Sequence, residues 1–283
     1  MIGQENLVNT IRSLIDQNKM PRFSIVIGEK GMESEDVGAV IAERMNADIT
    51  WLPDVKVDTI REMINKAYKA HRRTVYVLKN ADEMSVNAKN ALLKVTEEPP
   101  NKAYFVMCLE DASNTLATIK SRGTVFYMDR CKPDDIKEFA RELYVNIKDI
   151  DEEEIKIYGK ICSTPGDVCL LSKYGAKAFY SYVKNVSELI GKVSGSEAFL
   201  LLNKLAYKDE EDKYDCRLFL KAYQSVVLES CEGLQDYCDK YCGCYMSTVT
   251  GVYLQDLRIK GINKQMLMEN WMLEVRKIWK SQK

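Results

Sequence analysis

Four short runs of β-branched and aromatic residues lack a regular apolar–polar alternation, and this feature most constrains the fold. The runs are residues 23–27, 74–78, 104–109 and 124–128. A strand with one solvated face alternates apolar and polar side chains, whereas a strand buried on both faces does not. The sequence therefore predicts an α/β fold with a parallel sheet covered on both faces.

Amphipathic helices are predicted between these strands. Apolar residues recur at helical spacing over residues 4–17, about 35–45, from 58 onward and from 85 to 96. Ser34 is placed to cap the second of these helices and Ser85 the last, and Pro99 and Pro100 end it. Beyond Asp129 the strand pattern almost stops. Helical patterns then continue to the end of the chain, with a linker predicted at Gly191 to Gly195 and an acidic connection at residues 208–214.

The bulk properties exclude several classes of protein. The chain has 283 residues and a net charge of −1, so total charge gives no argument for a nucleic-acid binder acting alone. No apolar run approaches the ~18 residues of a membrane span, and the first ten residues lack the apolar stretch of a signal peptide. We therefore expect a cytoplasmic protein whose nine cysteines are reduced.

Residues 28–35, GEKGMESE, follow the first strand and have the position of a phosphate-binding loop; we call them the phosphate-loop segment. In the pattern G-x-x-x-x-G-K-[ST], Glu33 takes the place of the second glycine, Ser34 of the lysine and Glu35 of the hydroxyl residue. Gly28 and Gly31 remain. A carboxylate ~4 Å from a phosphate is repelled by about 4 kcal/mol at an effective dielectric constant near 20.

The second half of a nucleotide site is also altered. A strand ending in acidic residues normally holds Mg²⁺, but the strand at 74–78 is followed by Lys79 and Asn80. Asp82 and Glu83 come only after the strand end. The two departures together predict a degenerate site without a nucleotide cofactor, and the alternative is a strand–helix turn with no nucleotide ancestry.

Several motifs resemble the clamp-loader branch of the AAA+ proteins. They are NADEM at 80–84, NALLKVTEEPP at 90–100, TIKSRG at 118–123, Gly3–Gln4 and the stretch 53–61. The resemblance covers residues 2–129 closely. Residues 163–171 match the lid domain of that family weakly, and residues 195–283 match only as a helical block of suitable length.

The resemblance implies an AAA+ module at residues 1–129, a helical lid at 130–191 and a helical collar at 195–283. A broken nucleotide site beside an intact Ser–Arg pair is most similar to the delta-prime class of DNA polymerase III subunits. Such subunits are implied to have no ATPase activity of their own. They join gamma/tau and delta subunits in a five-membered ring that opens a sliding clamp and places it on primed DNA.

The resemblance also implies roles for individual residues. Arg122, beside Ser121, is implied to reach the γ-phosphate held by a neighbouring subunit; the alternatives are a plain surface arginine or one paired with a carboxylate of its own chain. Lys89 and Lys94 lie off the apolar face of their helix and are candidates for contacts with DNA phosphates. The alternative is that they are ordinary exposed lysines that only solvate the helix.

Two departures from the family concern cysteines. Gly123 replaces the cysteine of the family's Ser–Arg–Cys motif, and residues 45–57 lack the four cysteines of the zinc module that bacterial members usually carry. Cys231, Cys238, Cys242 and Cys244 permit either a zinc site or buried free thiols along a helix. We expect no bound metal.

Two other functions remain open. The chain could hydrolyse ATP itself, which requires nucleotide to bind without the lysine and the acidic pair. It could also be an AAA+-like adaptor outside replication, recovered as a monomer or homo-oligomer.

Overall fold

The computed structural model describes residues 1–144, 151–208, 210, 212–232, 237–259 and 261–281, without the side chains of 114, 232 and 237–239. It divides into two compact units. The first contains residues 1–135 and 164–166, and the second contains residues 136–163 and 167–283. The further division of the helical part into lid and collar stays a prediction.

The first unit is built on a parallel sheet of five strands in the order β2-β3-β4-β1-β5. The strands are β1 Phe23–Ile27, β2 Asp48–Trp51, β3 Thr74–Leu78, β4 Ala103–Leu109 and β5 Thr124–Tyr127. The helices are α1 Glu5–Asp16, α2 Asp36–Met45, α3 Val57–Lys69, α4 Val86–Glu97 and α5 Ala117–Lys120. This arrangement confirms the predicted α/β class.

Both faces of the sheet are covered, which explains the missing alternation. Every residue of β1, β3 and β4 is buried. Successive side chains of a strand point to opposite faces. Ile25 and Phe105 therefore pack in one core with α3 and α4, and Val26 and Val106 in another with α1 and α2.

One strand was not predicted, and one local prediction was wrong. β2 was not predicted because three of its four residues are exposed at the edge of the sheet and form no buried apolar run. Ser34 does not cap α2; the helix begins at Asp36 after Glu35, which makes no side-chain cap. Ser85 does cap α4, since its hydroxyl accepts a hydrogen bond from the Ala88 N–H at 3.2 Å.

Mostly helical structure follows β5. The helices are α6 Pro133–Tyr144, α7 Glu152–Ile161, α8 Pro165–Tyr174, α9 Ala176–Leu189, α10 Gly195–Leu201, α11 Cys216–Glu232, α12 Tyr237–Asp256 and α13 Lys264–Lys280. Two strands of two residues each, β6 Leu205–Ala206 and β7 Tyr214–Asp215, flank the acidic connection; positions 209 and 211 of that connection lie outside the described residues. No helix in the described part of the chain is long and apolar enough to cross a membrane.

The predicted linker at Gly191 to Gly195 is held against α13. Arg276, a buried side chain, donates hydrogen bonds to the carbonyl oxygens of Ile190 at 2.5 Å and Val193 at 2.8 Å. A side chain at position 191 would collide with Trp279, so glycine lets the backbone approach that ring. These contacts fix the path of the chain after α9.

A buried charge cluster joins α8 to α11 in the second unit. Asp167 is fully buried and accepts hydrogen bonds at 2.8 Å from both Arg217 and Lys221. Burial alone raises the pKa of Asp167, but the two facing cations and a hydrogen bond from the Ser163 N–H outweigh it, and the pKa is lowered. The charged form of Asp167 therefore stabilises the fold.

We expect Asp167→Asn to lower the free energy of unfolding by about 3 kcal/mol at pH 7, because it leaves two cations without their buried counter-charge. Urea unfolding followed by tryptophan fluorescence measures this. Glu152→Gln, which alters an exposed pair with Arg141, is the matched control and should cost under about 1 kcal/mol.

The stability difference between wild type and Asp167→Asn should depend on pH. The contribution of Asp167 is fully present above its unfolded pKa, near 3.9, and is lost as the pH falls through the lowered folded value. The difference between wild type and Asp167→Asn should therefore narrow below about pH 4. A difference that widens in acid would contradict this assignment.

Candidate functional site

The phosphate-loop segment joins β1 to α2 at the carboxyl end of the sheet. Gly31 and Glu33 both have left-handed backbones, with φ of 87° and 54°. A left-handed backbone is ordinary for glycine but costs roughly 1–2 kcal/mol for other residues. Glu33 thus holds a conformation suited to the glycine that the phosphate-loop pattern has at this position.

An ion pair joins the two altered halves of the site. The Lys79 ammonium, one residue after β3, lies 3.0 Å from a carboxylate oxygen of Glu35. It also lies 4.9 Å from the centre of the Trp51 ring. In the motif alignment these two residues replace a hydroxyl and a carboxylate that would coordinate Mg²⁺, so a lysine–glutamate pair stands in place of two metal ligands.

The cavity beside this ion pair is small, and many of the residues that line it are acidic. The cavity at the phosphate-loop segment has a volume of about 70 Å³, against roughly 300–1,000 Å³ for typical ligand pockets. Its lining includes the carboxylates Glu29, Glu33, Glu35, Asp82 and Glu110. Burial first, and then the charges of Asp36 and Glu35, raise the pKa of Glu33. The residues as placed do not fit a magnesium–nucleotide complex.

Other polar groups around the loop are engaged within the chain. Asp82 accepts hydrogen bonds from the N–H groups of Glu110 at 2.7 Å and Asp111 at 3.3 Å. Asn80 has a left-handed backbone, with φ of 50°, at the turn after Lys79. The Ser34 hydroxyl is hydrogen-bonded to the Cys108 thiol, whose burial raises its pKa to about 12.

Arg122 lies between α5 and β5 and is paired within its own chain. Its guanidinium is 2.9 Å from a carboxylate oxygen of Glu97 and donates to the carbonyl oxygen of Thr118 at 2.8 Å. The Ser121 hydroxyl donates to the same carbonyl oxygen at 3.1 Å. The fold therefore brings the EEPP and Ser–Arg motifs together, and the Arg122 side chain is 37% exposed.

Packing accounts for the glycine after Arg122. A Cβ at position 123 would lie 2.9 Å from Ile25 Cδ1 and 3.0 Å from Phe23 Cδ1. The cysteine that the family motif has here would require those two core side chains to shift. Gly123 thus fits the close approach of this turn to β1.

The two candidate lysines on α4 differ in their surroundings. Lys94 is exposed, and its ammonium is 5.8 Å from the centre of the Tyr68 ring. Lys89 is only half-exposed and has an interaction partner in the chain. Of the two, Lys94 is the more accessible to an external phosphate.

The cysteines of α11 and α12 are only partly described. Cys231 is buried and its Sγ packs against Gly243, while Cys242 and Cys244 are more exposed. The side chain of Cys238 lies outside the described residues. Within the described residues, no three histidine, cysteine, aspartate or glutamate side chains gather as metal ligands.

We expect Glu33→Gly to raise the free energy of unfolding by about 1 kcal/mol, because glycine adopts this backbone without strain. Asn46→Gly, at another left-handed position, is the matched control. It should raise the free energy of unfolding by less, since asparagine tolerates that conformation. Thermal or urea unfolding measures both. A lower stability for Glu33→Gly would contradict the assigned strain.

Glu33→Gln separates charge from strain. Because the folded pKa of Glu33 is raised, its ionised form destabilises the fold, and the uncharged variant should be more stable at pH 7. That advantage should disappear below the unfolded pKa, about 4.3. An advantage that persists at pH 3 would point to packing rather than charge.

Residues 47–132 match the family model described as "DNA polymerase III, delta subunit". The chain is 25% identical over 245 residues to "DNA polymerase III subunit gamma" of Buchnera aphidicola subsp. Schizaphis graminum, covering 75% of this chain and 68% of that protein. It is 35% identical over 77 residues to "DNA polymerase III subunit delta'" of Yersinia pestis, covering 26% and 23%.

The fold is also similar to that of a solved motor protein. The RuvB Holliday junction branch migration motor of Thermotoga maritima aligns with a TM-score of 0.50 and 15% identity, over 99% of this chain and 88% of that chain. At this identity the likeness concerns the fold alone. Together, these matches make the chain similar to subunits of DNA polymerase III, and its fold similar to that of the RuvB motor.

Proposed function

We propose that the chain is a delta-prime-like subunit of a DNA polymerase III clamp loader that does not hydrolyse ATP. The observation that carries the proposal is the Lys79–Glu35 pair at 3.0 Å, which replaces two magnesium ligands of a working site. Such a subunit acts in the cytoplasm with gamma/tau and delta partners to load a sliding clamp on primed DNA. Its contribution is structural, apart from an arginine offered to a neighbour.

Arg122 is suited to leave its partner in the chain and bind a phosphate of a neighbouring subunit. Its ion pair with Glu97 is partly exposed on both sides, at 37% and 53%, and such pairs contribute only about 0–1 kcal/mol. A phosphate offers the guanidinium a stronger, bidentate partner. Glu97 therefore holds Arg122 in position in the free chain, and assembly exchanges that carboxylate for the neighbour's γ-phosphate.

The proposed collar, residues 195–283, has a surface suited to docking. Tyr241, Tyr245 and Val252 are all more than half exposed, and their spacing places them on one side of α12. Met246 and Thr250 of the same helix are buried. Contiguous exposed apolar residues mark interaction sites, and helices of partner subunits are the occupants we propose.

DNA contact is proposed for Lys94. It is exposed on α4, and an ammonium group binds phosphate without reading base sequence. Lys89 remains a weaker candidate because it is half-exposed and has a partner in its own chain.

A gamma-like ATPase is the second candidate. The comparison favours it in one respect: the Buchnera relative that matches 75% of the chain is named a gamma subunit, whereas the delta-prime relative matches 26%. This candidate requires the loop to bind nucleotide despite the Lys79–Glu35 pair.

We expect Arg122→Ala to assemble normally with gamma/tau and delta subunits but to disable the one ATP site that receives the arginine. In GTPases an arginine supplied in this way contributes roughly 10³–10⁵ in rate. The ATPase rate of the ring, measured with clamp and primed DNA present, should therefore fall by the contribution of that one site. Arg122→Lys should not restore it, because lysine lacks the bidentate fork.

Arg44→Ala is the matched control, since Arg44 is an exposed arginine paired with Asp16 elsewhere in the first unit. It should leave the ATPase of the ring unchanged. Rings with Arg122→Ala that keep full activity would remove the arginine role. Failure of the wild-type chain to join gamma/tau and delta subunits would instead favour an adaptor outside replication.

A further inference from the structure

Three neighbouring strands of the sheet are each preceded by a cationic residue. Arg73 precedes β3, Lys102 precedes β4 and Arg22 precedes β1, and these strands are adjacent in the order β3-β4-β1. Backbone hydrogen bonds fix the alignment: the Thr74 N–H donates to the Lys102 carbonyl oxygen, and the Phe105 N–H donates to the Arg22 carbonyl oxygen, both at 2.8 Å. Since neighbouring strands lie about 4.8 Å apart, the three residues line up along the amino edge of the sheet.

These residues line a cavity of about 620 Å³, which we call the amino-edge cleft. Its volume is within the roughly 300–1,000 Å³ of typical ligand sites. His71, Asn18 and Asn101 also contribute to the wall, and no carboxylate is among the described residues that line it. The cleft therefore combines three positive charges with amide and imidazole side chains that can donate hydrogen bonds.

The cations of the cleft are held in place without being neutralised. The Arg22 guanidinium lies 4.3 Å from the centre of the Tyr104 ring, and its buried Nη1 has no acceptor among the described residues. The Lys102 ammonium donates to the carbonyl oxygen of His71 at 2.5 Å. No ion pair of Arg73 is present among the described residues, whereas its neighbour Arg72 pairs with Asp48 at 3.5 Å.

The opposite edge of the same sheet has the reverse charge. Five carboxylates line the small cavity at the phosphate-loop segment, where a phosphate would be expected in an AAA+ fold. We propose that the amino-edge cleft, on the far side of the sheet, binds a phosphate-bearing anion. Guanidinium and ammonium groups suit phosphate oxygens, and an acceptor would satisfy the unpaired nitrogen of Arg22.

The phosphate can come from a free anion or from a nucleic-acid backbone, and the test separates the two. Calorimetric titrations of the full chain use inorganic pyrophosphate in one arm and an unphosphorylated ten-nucleotide oligothymidylate in the other. We expect Arg73→Gln and Lys102→Gln each to weaken binding about tenfold, the loss expected for one charge-assisted hydrogen bond. Arg72→Gln, adjacent in sequence and outside the cleft, should change affinity less than twofold.

Both arms bear on the proposal. Pyrophosphate binding with this pattern of variants supports the cleft and identifies a free anion; oligonucleotide binding alone, with the same pattern, supports it and identifies a phosphodiester. Absence of binding in both arms overturns it, as does an equal loss for Arg72→Gln. The test uses the isolated chain, so its outcome is independent of assembly into a clamp loader.

Discussion

The ion pair between Lys79 and Glu35 is the constraint on which the account of this molecule depends. It joins the turn after β3 to the start of α2, at two positions where the phosphate-loop pattern would have magnesium ligands. An ammonium group repels a metal cation, and its partner carboxylate is already engaged. An internal ion pair therefore occupies these two positions, beside the phosphate-loop segment.

The backbone beside this pair is compatible with a phosphate-binding loop, whereas the side chains are not. Glu33 has a left-handed conformation that glycine adopts more readily, and burial, followed by the charges of Asp36 and Glu35, raises its pKa. The loop thus combines left-handed backbones at Gly31 and Glu33 with a lining rich in acidic residues. The same sheet supports the turn that holds Arg122, which the fold places against Glu97.

The sequence predicted the central features of the fold because they depend on local pattern. The bounds of β1 and β3 agree with the predicted runs, since burial on both faces leaves a mainly apolar run without regular alternation. β2 escaped prediction because an exposed edge strand has no such pattern. The pairing of Lys79 with Glu35 also escaped, because the two residues are 44 positions apart and their approach depends on the path of the chain.

The amino-edge cleft could not be predicted for a related reason. Arg22, Arg73 and Lys102 each precede a strand, but only the strand order places them side by side. Spacing in the sequence does not specify that order. The ion pair between Arg122 and Glu97 could not be predicted either, because it depends on how α4 and the turn before β5 pack together.

The most direct measurement is a calorimetric titration of ATP with Mg²⁺ into the isolated chain. It is best made in a variant carrying Arg73→Gln and Lys102→Gln, so that the amino-edge cleft contributes little. We expect no saturable, magnesium-dependent binding up to millimolar nucleotide. Micromolar binding that requires Mg²⁺ would contradict it, because the Lys79–Glu35 pair would then have to give way to the metal.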